Sequence, residues 1–322
     1  MSDKQQRHSF SRRHFALCLW ALVVWLSGAS ASGIQSVLVV LDNSKPSHQT
    51  VLKHFREAMQ EDSIDGIATR IESRDVAQFD HVTAESVPPD LIITIGARAA
   101  LRLSQQTTAA PVLNVFLPRA AYQQLKNTAS PPQAAIFLDQ PIARQLALAH
   151  LLLPTAKTAG ILRADAQAAA SEAITETALP FAFNLNIVTI KDGDDPADAI
   201  RQVIGPSDVI IATFDRAAYK PATTKWLLYL AFQRHTPIIG FSYALLKAGA
   251  LAAVFSTPEQ IADHAAELVK DWLRTGTPPN GTFYPRYYQI GLNGPVAGQL
   301  GFTPPSEKEV ANKVHDILGD PR

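Results

Sequence analysis

Four short segments carry side chains capable of chemistry, and each follows an apolar run. Asp42-Asn43-Ser44 offers a carboxylate, an amide and a hydroxyl. It is either a ligand contact or an ordinary turn with a helix cap. Gly96-Ala97-Arg98 combines a sharp turn with the start of a helix, whose free N–H groups favour an anion. Arg98 adds a bidentate donor there, or simply points into solvent. Asp215 sits beside Phe214 after the run 208–212. The carboxylate would accept from a ligand amine or hydroxyl while Phe214 stacks, or else Asp215 caps a helix and Phe214 is core. Phe241 and Ser242, followed by Tyr243, suit a mixed apolar and polar pocket. Phe116 faces the same space or belongs to the core.

Other chemistries fit less well. Gly240-Phe-Ser242-Tyr-Ala244 lies where a nucleophile elbow would, but Ala244 stands where that motif wants glycine. The triad order leaves only His264 or His315 as base, and an exported serine hydrolase is the least favoured alternative. No glycine-rich phosphate fingerprint occurs, so no nucleotide cofactor is implied. The nine histidines form no cluster of metal-ligand spacing, and His264 with Glu267 reads as a surface pair. No cofactor and no metal are expected.

These segments are positioned by a repeated strand–helix alternation. Ser36–Leu41 and Leu91–Ile95 are continuous apolar runs, the pattern of strands buried on both faces. Further strands are expected at 67–71 and 111–116, with helices over 47–60, 97–105 and 120–126. After the break at Ser130-Pro131-Pro132 the rhythm restarts, with helices at 141–152, 165–177, 196–203 and 220–234. Strands are expected there at 158–162, 187–190, 208–212 and 237–240. Pro258–Arg274 has one apolar stripe, Ile261, Ala265, Leu268 and Trp272. The pattern predicts two α/β lobes, each a doubly wound parallel sheet, and such sheets bind ligands beyond the carboxyl ends of their strands.

The N-terminus reads as a cleavable export signal over residues 1–31. A basic segment with Lys4, Arg7, Arg12 and Arg13 precedes the apolar run Phe15–Leu26, and Ala29-x-Ala31 follows. The run is shorter than the ~20 residues a spanning helix needs. Arg12-Arg13 leaves the general secretory and twin-arginine routes both open, and the destination is the periplasm. Cys18 is the single cysteine and leaves with the leader, so the remaining chain has neither disulfide nor thiol chemistry. Formal charge is zero, charged residues make up 18%, and no Lys/Arg run occurs. Nucleic acid and anionic membrane are therefore not expected partners.

Several stretches carry a family resemblance. They are Asp90–Ala100 with Ala110-Pro111, Leu153–Leu162, Ser207–Ile211, Thr236–Gly240, Lys247–Leu251 and Gln299–Pro305. Together they resemble the ABC transporter substrate-binding proteins related to the tryptophan-binding type. The resemblance implies the type I periplasmic-binding fold, with lobes at 32–136 plus 251–281 and at 137–250 plus 282–322. It implies a monomer that closes its hinge on an amino acid or small organic acid and hands it to an inner-membrane permease. The alternative is the same fold serving a membrane sensor or uptake system. Gly96, Ala97 and Asp215 match positions that line that family's cleft. Ala97 replaces a threonine, Phe116–Arg119 lacks the usual Asp-Pro, and Ala134–Leu138 replaces a Thr-Gly-Val-Ser stretch, so the cleft departs from its relatives.

Overall fold

The computed structural model describes residues 36–61, 69–79, 88–125, 133–164, 171–191 and 193–320. The expected leader over 1–31, the expected break at 130–132 and the expected start of a helix at 165–170 lie outside the described residues.

Two six-stranded sheets form two lobes. In the first, β1 (Ser36–Leu41), β2 (Arg70–Asp75), β3 (Leu91–Ile95), β4 (Val112–Leu117) and β5 (Gln133–Phe137) are joined by β11 (Gly281–Phe283). Their order is β11-β5-β4-β3-β1-β2, and every pairing is parallel. The second sheet holds β6 (Thr158–Ala164), β7 (Asn184–Ile190), β8 (Val209–Ile211), β9 (Ile238–Gly240), β10 (Ala252–Phe255) and β12 (Gln289–Leu292). Its order is β12-β10-β9-β8-β6-β7, parallel except for the antiparallel β10–β12 pair.

Helices cover the sheets. In chain order they are α1 (Pro46–Glu61), α2 (Ala97–Ser104), α3 (Arg119–Gln123), α4 (Ile142–Leu152), α5 (Ser171–Ala178), α6 (Pro196–Ile204), α7 (Pro221–Gln233), α8 (Tyr243–Ala248), α9 (Pro258–Thr275), α10 (Gly294–Gln299) and α11 (Glu307–Leu318). The core of the first lobe sets Val51, Leu52 and Phe55 of α1 against Ile261, Ala265 and Val269 of α9, over β1, β3 and β4. The second lobe buries Leu146 and Ala149 of α4 against Val310 and Val314 of α11. Helix α9 begins in a capping box: Thr257 accepts from Gln260 N, and Gln260 Oε1 accepts from Thr257 N.

Four strands are absent from the sequence expectation. The strands β11 (GTF) and β12 (QIGL) are short; the other two are β5 (QAAIF) and β10 (AAVF). These last two are alanine-rich and carry too little bulk to stand out as apolar runs, yet both are largely buried between neighbouring strands. Strand β10 corrects a lobe boundary. The chain was expected to return to the first lobe at 251, but Ala252–Phe255 pair with β9 and β12 in the second sheet. The return begins after Phe255. Strand β2 is also displaced, to 70–75 from 67–71, because it is a half-exposed edge strand whose register is set by β1, not by its own apolar content. Three connections therefore join the lobes, at 138–141, 256–257 and 284–288.

Candidate functional site

In the first lobe, the loops after β1, β3 and β4 meet around a residue that sequence reasoning missed, His48. Gly96 adopts φ +88°, and a Cβ there would lie 2.4 Å from His48 Cε1, so only glycine fits. The imidazole stands edge-on to Phe116 at 5.8 Å. Its Nδ1 is buried with no hydrogen-bond partner among the described residues, and burial lowers the His48 pKa. Phe116 itself has φ +58°, where β4 shifts register between Val115 and Leu117. A non-glycine residue in that region stores backbone strain, which recurs at ligand sites.

Asp42 is almost fully buried and closes its own turn. Its Oδ1 accepts from Ser44 N at 3.1 Å and from Ser44 Oγ at 2.6 Å. The Ser44 hydroxyl, with Arg98, holds the carboxyl below its usual range against the opposing effect of burial. Arg98 Nη1 lies 3.4 Å from Asp42 Oδ2, so this guanidinium already faces a carboxylate. Asn43 is exposed and donates its N–H to Asp75 Oδ2 at 2.9 Å. Ala97 is half-buried against Ala100, Leu117 and Phe137.

In the second lobe, Asp215 is 4% exposed and its carboxylate is taken up by the backbone. Oδ2 accepts from Ala164 N at 2.7 Å, and Oδ1 from Ala217 N at 3.0 Å and Ala218 N at 3.1 Å. It pins the end of β6 to the loop after β8. Ser242 Oγ accepts from Leu245 N at 3.2 Å and caps α8. Phe241 stacks edge-on with Phe214 at 5.2 Å and Tyr219 at 5.7 Å.

Phe241 and Ser242 line a cavity of about 550 Å³ at the junction of the lobes. Phe214, Tyr243 and Phe255 complete an aromatic wall, and Leu138 enters from the end of β5. Ser256, Glu259, Gln289 and Glu307 supply its polar lining. Among the described residues no histidine lines it. His264 is buried in α9, where Nδ1 accepts from Arg286 N at 3.3 Å, and His315 stacks on Tyr288, so neither expected base reaches Ser242's cavity. Glu267 pairs with Arg286 and Tyr287, not with His264.

The three connections behind the cavity are tied to one another. Gln140 Nε2 donates to Ser256 Oγ at 2.8 Å, and Ser256 Oγ donates to Tyr287 O at 2.5 Å. Arg144 Nη1 donates to Gln140 Oε1 and to Pro285 O, both at 2.8 Å. Asp139 Oδ2 accepts from Arg119 N at 2.8 Å, yet burial raises the Asp139 pKa to about 6.

Two parallel-sheet lobes, three connections and a cavity at the junction define a two-lobed binding protein of the periplasmic type. The chain belongs to the ABC transporter substrate binding protein family, whose model matches residues 36–303. No curated protein matches the sequence. Solved structures with the same fold include an ABC domain in complex with L-Trp from Streptococcus pneumoniae, at 19% identity and TM-score 0.56, covering 86% of this chain and 98% of that one. A ligand-free, open substrate-binding protein with adhesive properties from Clostridium difficile aligns at 17% identity and TM-score 0.64, covering 85% and 97%. A periplasmic ribose ABC transporter protein from Conexibacter woesei aligns at 12% identity and TM-score 0.52, covering 88% and 99%.

Proposed function

We propose that this chain is exported to the periplasm, its leader ending near Ala31, and that it captures an amino acid between its lobes for an inner-membrane ABC permease. The observation that carries the ligand class is the lining of the junction cavity. Phe214, Phe241, Tyr243 and Phe255 surround an apolar body, while Ser242 and Gln289 offer hydrogen bonds. Its charged lining residues, Glu259 and Glu307, are carboxylates. That sign suits an ammonium group and repels an organic dianion, which favours an amino acid with an apolar side chain over an acidic solute. The facing wall is formed by Asp42, Asn43, Ser44, Gly96, Ala97, Arg98 and Phe116, with His48 added. Asp215 serves by holding the second-lobe loops in place. Closure of the lobes about the three connections brings the two walls together.

A thermal-shift screen of amino acids, organic acids, sugars and nucleosides tests the reading. A binder of the native state raises Tm by an amount set by its concentration over Kd. Apolar amino acids should give the shift, and Phe241→Ala should remove it. A shift from dicarboxylates alone, or none from any amino acid, would sink the ligand class.

A further inference from the structure

Helix α7 is apolar on two opposite faces, and only one of them is used by the fold. Thr223, Leu227 and Ala231 point inward and are buried. On the outer side Trp226, Tyr229 and Phe232 are 53%, 51% and 64% exposed, and the first two meet edge-on at 5.7 Å. A helix apolar all round ordinarily has a partner on each side. A hollow of about 260 Å³ beside Phe232, lined also by Leu228, Pro237, Val296 and Leu300, extends the apolar area.

Charge says what kind of partner fits. The chain is neutral overall, yet no Asp or Glu occurs between Asp215 and Glu259. Within that interval Lys220 and Arg234 stand at the two ends of α7 and Lys225 lies beside Trp226, and all three are exposed. A second copy of the chain would have to set these cations against themselves, since a two-fold contact opposes the same patch to itself. A surface that is anionic outside and apolar beneath answers both features. Trp, Tyr and Phe between Lys and Arg is the composition of a helix lying in a lipid headgroup layer.

We propose that the outer face of α7 docks on the surface of an anionic phospholipid bilayer, with Trp226, Tyr229 and Phe232 inserted among the headgroups. The hollow beside Phe232 is bounded by Pro237, just before β9, whereas Phe241 and Ser242 follow the other end of that strand at the junction cavity. A docked molecule therefore keeps the cavity open to solvent. The proposal is independent of which ligand the cavity takes.

Residues from Ile34 onward form one compact unit, so that chain can be used without the apolar leader. It is sedimented with vesicles of phosphatidylcholine alone and of phosphatidylcholine mixed with phosphatidylglycerol. Binding is expected to the anionic vesicles, with a blue shift of Trp226 emission, and added salt should weaken it. Replacing Trp226, Tyr229 and Phe232 together by Ser, or Lys220 and Lys225 together by Glu, should weaken binding by about tenfold or more. Because all five side chains are exposed, both variants should keep the parent Tm. The proposal is overturned by an absence of binding to anionic vesicles, by equal binding to neutral ones, or by binding that neither variant weakens. A dimer or a complex with an acidic protein that consumes Trp226 in place of lipid also overturns it.

Discussion

Arg144 and Asp320 form an ion pair at 2.7 Å although 176 residues separate them. Arg144 lies in the first turn of α4, just after the first connection between lobes, and Asp320 closely follows α11. The guanidinium also bonds Gln140 and Pro285 and lies 3.9 Å over the Tyr288 ring. One buried cation thus holds the first connection, the third connection and the C-terminal segment together.

Arg144→Met should therefore cost about 3–5 kcal/mol, the usual penalty for breaking a buried pair from one side. Asp320→Asn should cost less, since Asp320 is partly exposed while Gln140 and Pro285 keep their donor. Urea unfolding of both variants checks this. Equal and negligible costs would show that the cluster does not hold the connections.

Gly96→Ala should destabilise by about 1–3 kcal/mol, because the backbone is in a region that L side chains avoid and the new Cβ meets His48. Adding His48→Ala should recover only the steric part. The residual cost in the double variant, measured by thermal melts, isolates the backbone strain.

Asp139 gives a pH dependence with a definite sign. Its folded-state pKa is raised to about 6 from an ordinary 3.8, so folding favours the neutral acid. That contribution is present below about pH 4 and is lost as pH rises through about 6. Asp139→Asn should accordingly be more stable than the parent at pH 7.5, by up to about 3 kcal/mol, and close to it at pH 4. A variant that loses stability at both pH values would show that Asp139 is needed as a charged acceptor for Arg119.

Ser242→Ala removes a helix cap and should cost about 1 kcal/mol without abolishing ligand binding. Phe241→Ala should abolish it by opening the aromatic wall. Calorimetric titration of both with the same amino acid separates the roles. Complete loss of binding in Ser242→Ala alone would instead make that hydroxyl, not the aromatic wall, the principal hold on the ligand.

Much of the fold is legible in local pattern. Ser36–Leu41 and Leu91–Ile95 announce themselves because strands covered on both faces must be apolar at every position. The motifs around Gly96, Leu153–Gly160 and Lys247–Leu251 carried the family. The Ala-rich strands β5 and β10 were hidden because small side chains carry little hydrophobic signal even where they are fully buried. The boundary at 251 was misplaced for the same cause.

The sequence by itself determined two α/β lobes and the family to which they belong. Only the tertiary structure decided what the polar candidates do. Asp215 turns its carboxylate to three backbone amides, Arg98 faces Asp42, and Ser242 caps a helix. Each of these partners depends on where the hydrogen-bonding groups of a loop end up once the strands are in register. His48, Asp139 and Arg144 gained their roles from neighbours that folding alone brings near, because burial and pairing are properties of position in space, not of residue type.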